Sequence, residues 1–327
     1  MKLELLTILC CPKTKNKLFF EGESTELKNV EFGSLVTEDR KYSYPIKRGV
    51  PRFVEESNYA DNFGIQWNLY SKTQLDSFTG HDISANRFWK TTGWKATEMQ
   101  DKWVLDVGCG SGRFAEIALS TGAKVVALDY SNAVDACYSN FINDPNLHVI
   151  QGDIHELPFN LEVFSFVYCL GVLQHTPNPE VAFKALPKVL KNNGRICVDF
   201  YEKSWKILFH SKYWLRPLTK RLPKRTLLKL LHKITPWLLP VSHFLSKFPL
   251  IGPILKRLIP IANYHGVLPL DKQQQLQWSL LDTFDWFAPE HDHTQTLKTA
   301  KLWMEDVQLY DIEVLRLGHL VARGRRE

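Results

Sequence analysis

The stretch VLDVGCGSGRFA, residues 104–115, decides the fold. A short apolar run, Trp103–Val107, ends in Gly108-Cys109-Gly110-Ser111-Gly112, and helically spaced residues follow from Arg113. This order predicts a strand, a glycine-lined bend and a helix. Backbone without side chains turns tightly, and its N–H groups face a polar ligand at the positive end of the next helix. The dinucleotide fingerprint G-x-G-x-x-G is a poor match. Gly108 and Gly110 require glycine or alanine at 113, where the chain has Arg113.

Working outward, residues 124–129 form a second buried-strand run, and a helix led by Ser131 continues to about Asn140. Residues 147–153 and 164–170 are a third and a fourth strand. A helix over 180–190 leads through Asn193-Gly194 to a fifth strand at 195–200. Short apolar runs separated by helices predict an α/β, doubly wound, parallel sheet. Near the end, 308–317 and 319–323 flank Gly318 and read as an antiparallel closing pair.

Acids fall at the strand ends. Asp106 lies in the first strand, Asp129 ends the second and Asp153 ends the third. A carboxylate at the tip of the second strand accepts both hydroxyls of a ribose in other doubly wound nucleotide sites. One at the tip of the third is placed to accept an adenine amino group. Solvated turn residues are the competing reading for any one of them. Three acids in the expected places favour a nucleoside ligand.

In these motifs the chain resembles the class I S-adenosylmethionine-dependent methyltransferases of the methyltransferase type 11-like kind. The matching segments are VLDVGCGSGRFA (104–115), VVALDYS (125–131), GDIHELPF (152–159), FSFVYCLGVLQHTPNP (164–179) and LPKVLKNNGRICVDF (186–200). The resemblance implies a seven-stranded, Rossmann-like sheet with its last strand antiparallel, and S-adenosylmethionine as cofactor. Asp106 and the loop of Gly108, Gly110 and Gly112 then hold the methionine portion, Asp129 the ribose, and Asp153 with Ile154 the adenine. Leu170 stands at the tip of the fourth strand beside the cofactor.

Methyl transfer from a sulfonium asks the protein chiefly to align nucleophile and leaving group. A base is required only if the acceptor starts protonated. His175, just past the fourth strand, is the candidate base; a helix-capping or structural histidine is the competing reading. Asp199, Tyr201 and Glu202, placed after the fifth strand, are further candidates to face the acceptor.

The 327 residues are 44% apolar and 23% charged, an ordinary globular composition that excludes wholesale disorder, collagen-like repeats and coiled coil. Six cysteines in this length make no disulfide framework. Isolated Cys109, Cys137, Cys169 and Cys197 read as buried thiols of a reducing, cytoplasmic setting. The start, MKLELLTILCCPK, lacks the plan of an export signal. No uninterrupted apolar run of about 18 residues predicts a spanning helix. The net charge of +6 divides unevenly. Residues 203–270 hold thirteen Lys/Arg and no Asp/Glu, which leaves 28 Lys/Arg against 35 Asp/Glu, or −7, for the rest. Such asymmetry points to an anionic partner.

Five regions are expected: a small module at 1–56, an aromatic connector at 57–100, the cofactor-binding core at 101–202, a basic helical insert at 203–270, and a completion of the core at 271–327. Cys10-Cys11-Pro12-Lys13 and the closing YPIKRGVP (44–51) make the first resemble a zinc-ribbon-like module found alone or before some methyltransferases. Its ligand pattern is broken. Cys11 is followed three residues later by Thr14, and the next cysteine is Cys109. A tetrahedral site wants two C-x-x-C pairs, so the fold is expected without metal. The connector resembles a segment preceding the core in enzymes of surface-glycan and natural-product pathways. By that likeness it folds over the cofactor with Gln66, Trp67 and Arg87 as contacts; domain-packing aromatics are the alternative.

The insert alternates leucines with lysines and arginines at helical spacing, and Trp205, Trp214, Trp237, Phe209, Phe244 and Phe248 supply aromatic anchors. Such a helix suits an anionic membrane surface at the inner face; a lid over the acceptor pocket is the competing and compatible reading. Residues 283–293 read as a turn lining the acceptor site, with metal ligation by Asp285, His291 and His293 or a surface loop as alternatives, and no metal is expected. The expected function is methyl transfer to a hydroxyl or carboxyl of a small-molecule, glycan or lipid-linked acceptor. An RNA methyltransferase and a non-catalytic binding protein that keeps the fold remain as alternatives. The leucine content and the lack of an RNA-reading motif count against nucleic acid.

Overall fold

The computed structural model describes residues 1–22, 30–55, 58–205 and 210–327. The expected boundary at 56/57 and the anchor Phe209 lie outside the described residues. A 3-10 turn, Leu3–Thr7, precedes β1 (Leu18–Glu21), β2 (Gly33–Thr37), β3 (Ser43–Lys47) and β4 (Val50–Pro51), an antiparallel sheet in that order. The connector folds as α1 (Asp61–Leu69), α2 (Asp76–Thr79), α3 (Ile83–Thr92) and α4 (Ala96–Met99).

The second sheet begins with β5 (Trp103–Val107), and α5 (Ala115–Leu119), β6 (Lys124–Asp129), α6 (Ala133–Asn140) and β7 (Leu147–Gln151) follow. Next come β8 (Phe164–Cys169), α7 (Pro179–Ala185) and β9 (Leu190–Phe200). The helix expected over 180–190 is shorter than its pattern. Pro187 lacks an N–H, and Leu186–Val189 is a 3-10 turn. Strand β9 therefore begins five residues early, at Leu190, and ends at Phe200 as expected, with Asp199 inside it and Tyr201 and Glu202 beyond. The insert carries α8 (Ser211–Thr219), α9 (Lys224–Ser246) and α10 (Gly252–Leu258). Then come α11 (Lys272–Phe287), α12 (Leu297–Asp306), β10 (Leu309–Arg316) and β11 (Leu320–Arg326).

Seven strands lie in the order β10-β11-β9-β8-β5-β6-β7. Strands β5 to β9 are mutually parallel, whereas β11 runs antiparallel to both β9 and β10. Order reverses between β5 and β8, and in open α/β sheets the crevice outside such a switch point is where ligands bind. Residues on β5 and β6 are buried on both faces, as a sheet covered by helices requires.

The N-terminal module closes the β7 edge of this sheet. Arg52 bridges Gln151 in parallel, the Phe53 N–H donates to the Gln151 carbonyl at 2.8 Å, and Leu9 bridges Phe159. An edge strand left bare is a template for aggregation; here it is covered by the chain's own residues. Leu5, Leu9, Leu35 and Ile46 share one apolar core with Leu105, Ile150 and Phe159. The Cys11 thiol lies 3.2 Å from the Tyr44 hydroxyl. Among the described residues no three His, Cys, Asp or Glu side chains converge as metal ligands.

Candidate active site

A cavity of about 830 Å³ opens at the carboxyl ends of the parallel strands. Its floor is Gly108, Cys109 and Gly110 after β5, Asp129 and Tyr130 at β6, Gly152 and Ile154 after β7, and Leu170 and Gly171 after β8. Backbone approach is close throughout. A Cβ on Gly108 would sit 2.3 Å from the Val172 side chain, and one on Gly110 would sit 2.9 Å from the Trp67 indole. Gly110 also needs φ +54°, which glycine adopts freely. Gly112 serves packing: a Cβ there would meet the Phe141 ring at 2.6 Å, and the residue does not line the cavity.

The three acids differ. Asp129, 8% exposed, accepts from the Gly110 N–H at 2.9 Å, the Ser131 N–H at 2.8 Å and the Ser131 hydroxyl at 2.7 Å. It thus ties the glycine loop to the tip of β6 while lining the cavity. Burial raises its pKa, and these hydrogen bonds oppose the rise. Asp153 accepts from the His155 N–H and faces His155 Nδ1, both at 2.8 Å, so the cavity wall there is Gly152 and Ile154. Asp106 lies beneath the loop, 2% exposed, with Oδ2 lacking a hydrogen-bond partner.

Burial pushes the Asp106 carboxyl up to about 8. In the unfolded chain an ordinary aspartate loses its proton near about 4. Between those values the native state holds a proton that the unfolded chain has released, so the group's contribution to stability falls as pH rises from about 4 to about 8. Asp106→Asn is expected to flatten the pH dependence of the melting midpoint of the ligand-free protein across that window. An unchanged slope would contradict this placement of the carboxyl.

Beyond β8 and β9 the cavity widens. His175, 5% exposed, donates from Nδ1 to the His291 carbonyl at 3.0 Å, and its Nε2 has no partner. Since a carbonyl only accepts, the neutral ring carries its proton on Nδ1 and presents the Nε2 lone pair. Phe63 and Tyr201 flank the ring at 5.3 and 5.6 Å. Asp199, 2% exposed, is already engaged: one oxygen accepts from the Gly171 N–H, the other from Arg87 at 2.8 Å. It positions Gly171 and Arg87 rather than facing an acceptor. Tyr201 lines the cavity and donates to Asp285 at 3.4 Å; Glu202 also lines it and pairs with Arg316 at 2.8 Å.

The connector covers the glycine-loop side of the cavity. Gln66, Trp67 and Arg87 all line the cavity, and the Gln66 Oε1 is buried without a partner. The stretch 283–293, expected as a turn, is helical to Phe287 because the apolar face of α11 continues through Phe284 and Phe287 into the core shared with α9. Asp285 and Trp286 line the cavity, whereas His291 and His293 stack on one another outside its lining.

Several lining residues had no local signal. Arg113 donates to Ser84 Oγ and Gln74 Oε1 and lies over the Phe114 and Trp278 rings. Burial, with Arg87 nearby, brings its pKa down to about 9. Burial raises Asp282 to about 6; it accepts from Tyr264 and from Gln74, at 3.2 Å from the latter. Lys212 and Arg216 of the insert turn inward to Asp292, at 2.9 and 3.9 Å.

The site suits an adenosyl sulfonium. Two glycine backbones leave room that a Cβ would fill, a strand-tip carboxylate lines the floor, Gln66 with its unpartnered Oε1 lines the wall, and the unpartnered Oδ2 of Asp106 lies beneath the loop. Comparison with known proteins agrees. Residues 105–198 match the family model described as a methyltransferase domain, and residues 2–49 match that of a Trm112p-like protein. The chain is 26% identical over 130 residues to the ubiquinone biosynthesis O-methyltransferase of Coxiella burnetii, across 39% of this chain and 56% of that protein. It is 30% identical over 134 residues to the tRNA U34 carboxymethyltransferase of Aeromonas hydrophila, across 37% and 41%. The chain thus spans about half the length of the curated relatives it matches. A solved complex containing the Haloferax volcanii Trm112 methyltransferase activator aligns with a TM-score of 0.44 and 14% identity, over 81% of this chain and 97% of that one. The protein therefore carries a class I, S-adenosylmethionine-dependent methyltransferase core.

Proposed function

We propose that the protein transfers the methyl group of S-adenosylmethionine to a hydroxyl or carboxyl oxygen of a small-molecule, glycan or lipid-linked acceptor. The observation that carries this reading is one continuous cavity lined at one end by the glycine loop and Asp129 and at the other by His175, whose Nε2 has no partner. The cofactor supplies an activated methyl on a positively charged sulfur. Asp129 holds the ribose, Ile154 and Asp153 border the adenine, and Leu170 packs beside the cofactor. Asp106 and the loop at Gly108, Gly110 and Gly112 keep the methionine portion in place. His175 takes the acceptor's proton at Nε2 while its Nδ1–H stays on the His291 carbonyl. The helices of 203–270 and α11 exclude water from the acceptor side.

In this reading the protein is cytoplasmic, belongs with glycan or natural-product modifying enzymes, and meets the inner face of a membrane peripherally through the insert. The five regions bounded at 56, 100, 202 and 270 are inferred on the same footing. Similarity to a tRNA-modifying enzyme favours a second reading, an RNA acceptor. One experiment separates them: incubate a cell extract with the protein and isotope-labelled methyl donor, then follow the label by mass spectrometry. Label in glycan, lipid or small-molecule fractions supports the first reading. Label in RNA supports the second. No label in any fraction, with the cofactor bound, contradicts methyl transfer.

A further inference from the structure

Helix α9 has two apolar stripes. Leu227 and Leu231 are buried with Leu280, Leu281 and Phe284 of α11. Leu230, Trp237, Val241 and Phe244 lie on another side, exposed, and at 3.6 residues per turn the stripes stand roughly 90° apart. One buried stripe is enough to seat a surface helix, so the second has no use within the fold. The Trp237 side chain is 79% exposed, and Leu250, at the turn between α9 and α10, is 95% exposed. Ile251, Ile254 and Leu258 extend the apolar surface along α10. Soluble monomers rarely show such contiguous apolar area without a partner.

Charge decides what covers it. Lys212 and Arg216 are committed inward to Asp292. Lys220, Arg221, Arg225, Lys229, Lys233 and Lys247 are exposed, and residues 203–270 contain no Asp or Glu. A second copy of this face would bring like charges together, which is costly. A phosphate-lined nucleic-acid groove would use the lysines but leave Trp237, Phe244 and Leu250 in water. An anionic bilayer accepts both: acyl chains take the apolar stripe, headgroup phosphates the lysines. Among the described residues no helix is long and apolar enough to cross a membrane, so the fit is to lying along the surface.

We propose that the outward stripe of α9, with the Leu250 corner and the outer face of α10, seats the protein on an anionic lipid bilayer. The peripheral contact suggested above is thereby given a face, and it rests on that reading for its setting. The placement also bears on the acceptor. Arg257 of α10 lines the cavity, as do His210, Lys212 and Tyr213 at the start of α8, so one of the two helices that contact lipid also borders the acceptor chamber.

The test uses full-length protein with sedimenting vesicles of phosphatidylcholine, alone or mixed with phosphatidylglycerol. The mixed vesicles are expected to pull the protein down and phosphatidylcholine alone to bind it far less. Trp237→Glu with Phe244→Glu is expected to weaken partitioning by about tenfold or more, and Lys229→Glu with Lys233→Glu to a similar degree, on the order of fivefold per charge. Both variants are expected to keep the melting midpoint and the affinity for S-adenosylhomocysteine, since neither touches core or cavity; failure of docking is thus distinguished from failure of the cofactor reading. Should a glutamate variant not fold, the conservative Trp237→Phe, which is expected to lose quenching of tryptophan emission by brominated lipid, gives the same answer. Absence of the protein from anionic vesicles would overturn the proposal. So would a dimer that these substitutions dissociate, or RNA binding that follows the lysines and ignores Trp237 and Phe244.

Discussion

Asp129→Ala is expected to reduce affinity for S-adenosylhomocysteine by about two orders of magnitude or more, since two hydrogen bonds to a charged acceptor are each worth roughly 1.5–3 kcal/mol. The substitution acts twice. It removes the carboxylate placed to accept the ribose hydroxyls, and it unties the Gly110 N–H and Ser131 from the tip of β6. Asp129→Asn separates the two effects, because an amide oxygen still accepts from Gly110 but offers only one acceptor atom. Its affinity is expected to fall between wild type and alanine. Calorimetric titration measures both. An alanine variant within about threefold of wild type would mean that less than 1 kcal/mol rests on this carboxylate, and the ribose would have to lie elsewhere.

His175→Ala is expected to lower the rate of methyl transfer by roughly 10²–10⁴, the usual contribution of a positioned base, while affinity for S-adenosylhomocysteine changes little. The ring is 5% exposed, its Nδ1–H is fixed on the His291 carbonyl, its Nε2 has no partner, and the residue lines the cavity beyond Leu170. A structural histidine in the same place would report through stability, so melting curves accompany the kinetics. Equal rates for both proteins, or a lost rate matched by lost folding, would leave His175 without a chemical role.

The fold and the residues at the glycine-loop end of the cavity were legible because their signals are local. Strand, glycine bend and helix follow one another within residues 103–119, and Asp129 and Ile154 each sit directly after or within a short apolar run. The antiparallel closing pair at 309–326 was readable for the same reason, since Gly318 lies between two strands. Where local reading fell short, contacts distant in sequence decided the outcome. Gln74 reaches Asp282 across 208 positions, and Arg113, read only as a misfit to a dinucleotide fingerprint, is held by Ser84 and Gln74 of the connector. Lys212 and Arg216 count toward the basic charge of 203–270, yet they are buried against Asp292. Composition counts charges but does not show which of them a later segment neutralises. Asp153 also has a local partner that strand-end spacing does not show: His155, two residues on, meets one of its carboxylate oxygens.

The central claim is that Asp129 and the glycine loop together grip an adenosyl group at the carboxyl ends of β5 and β6. A crystal structure of the protein soaked with S-adenosylhomocysteine tests it most directly. Both ribose hydroxyls on the Asp129 carboxylate, with the sulfur directed toward the His175 side of the cavity, is the expected result. Ligand bound away from this crevice, or the crevice taken by an unrelated nucleotide while the homocysteine analogue is refused, would contradict it.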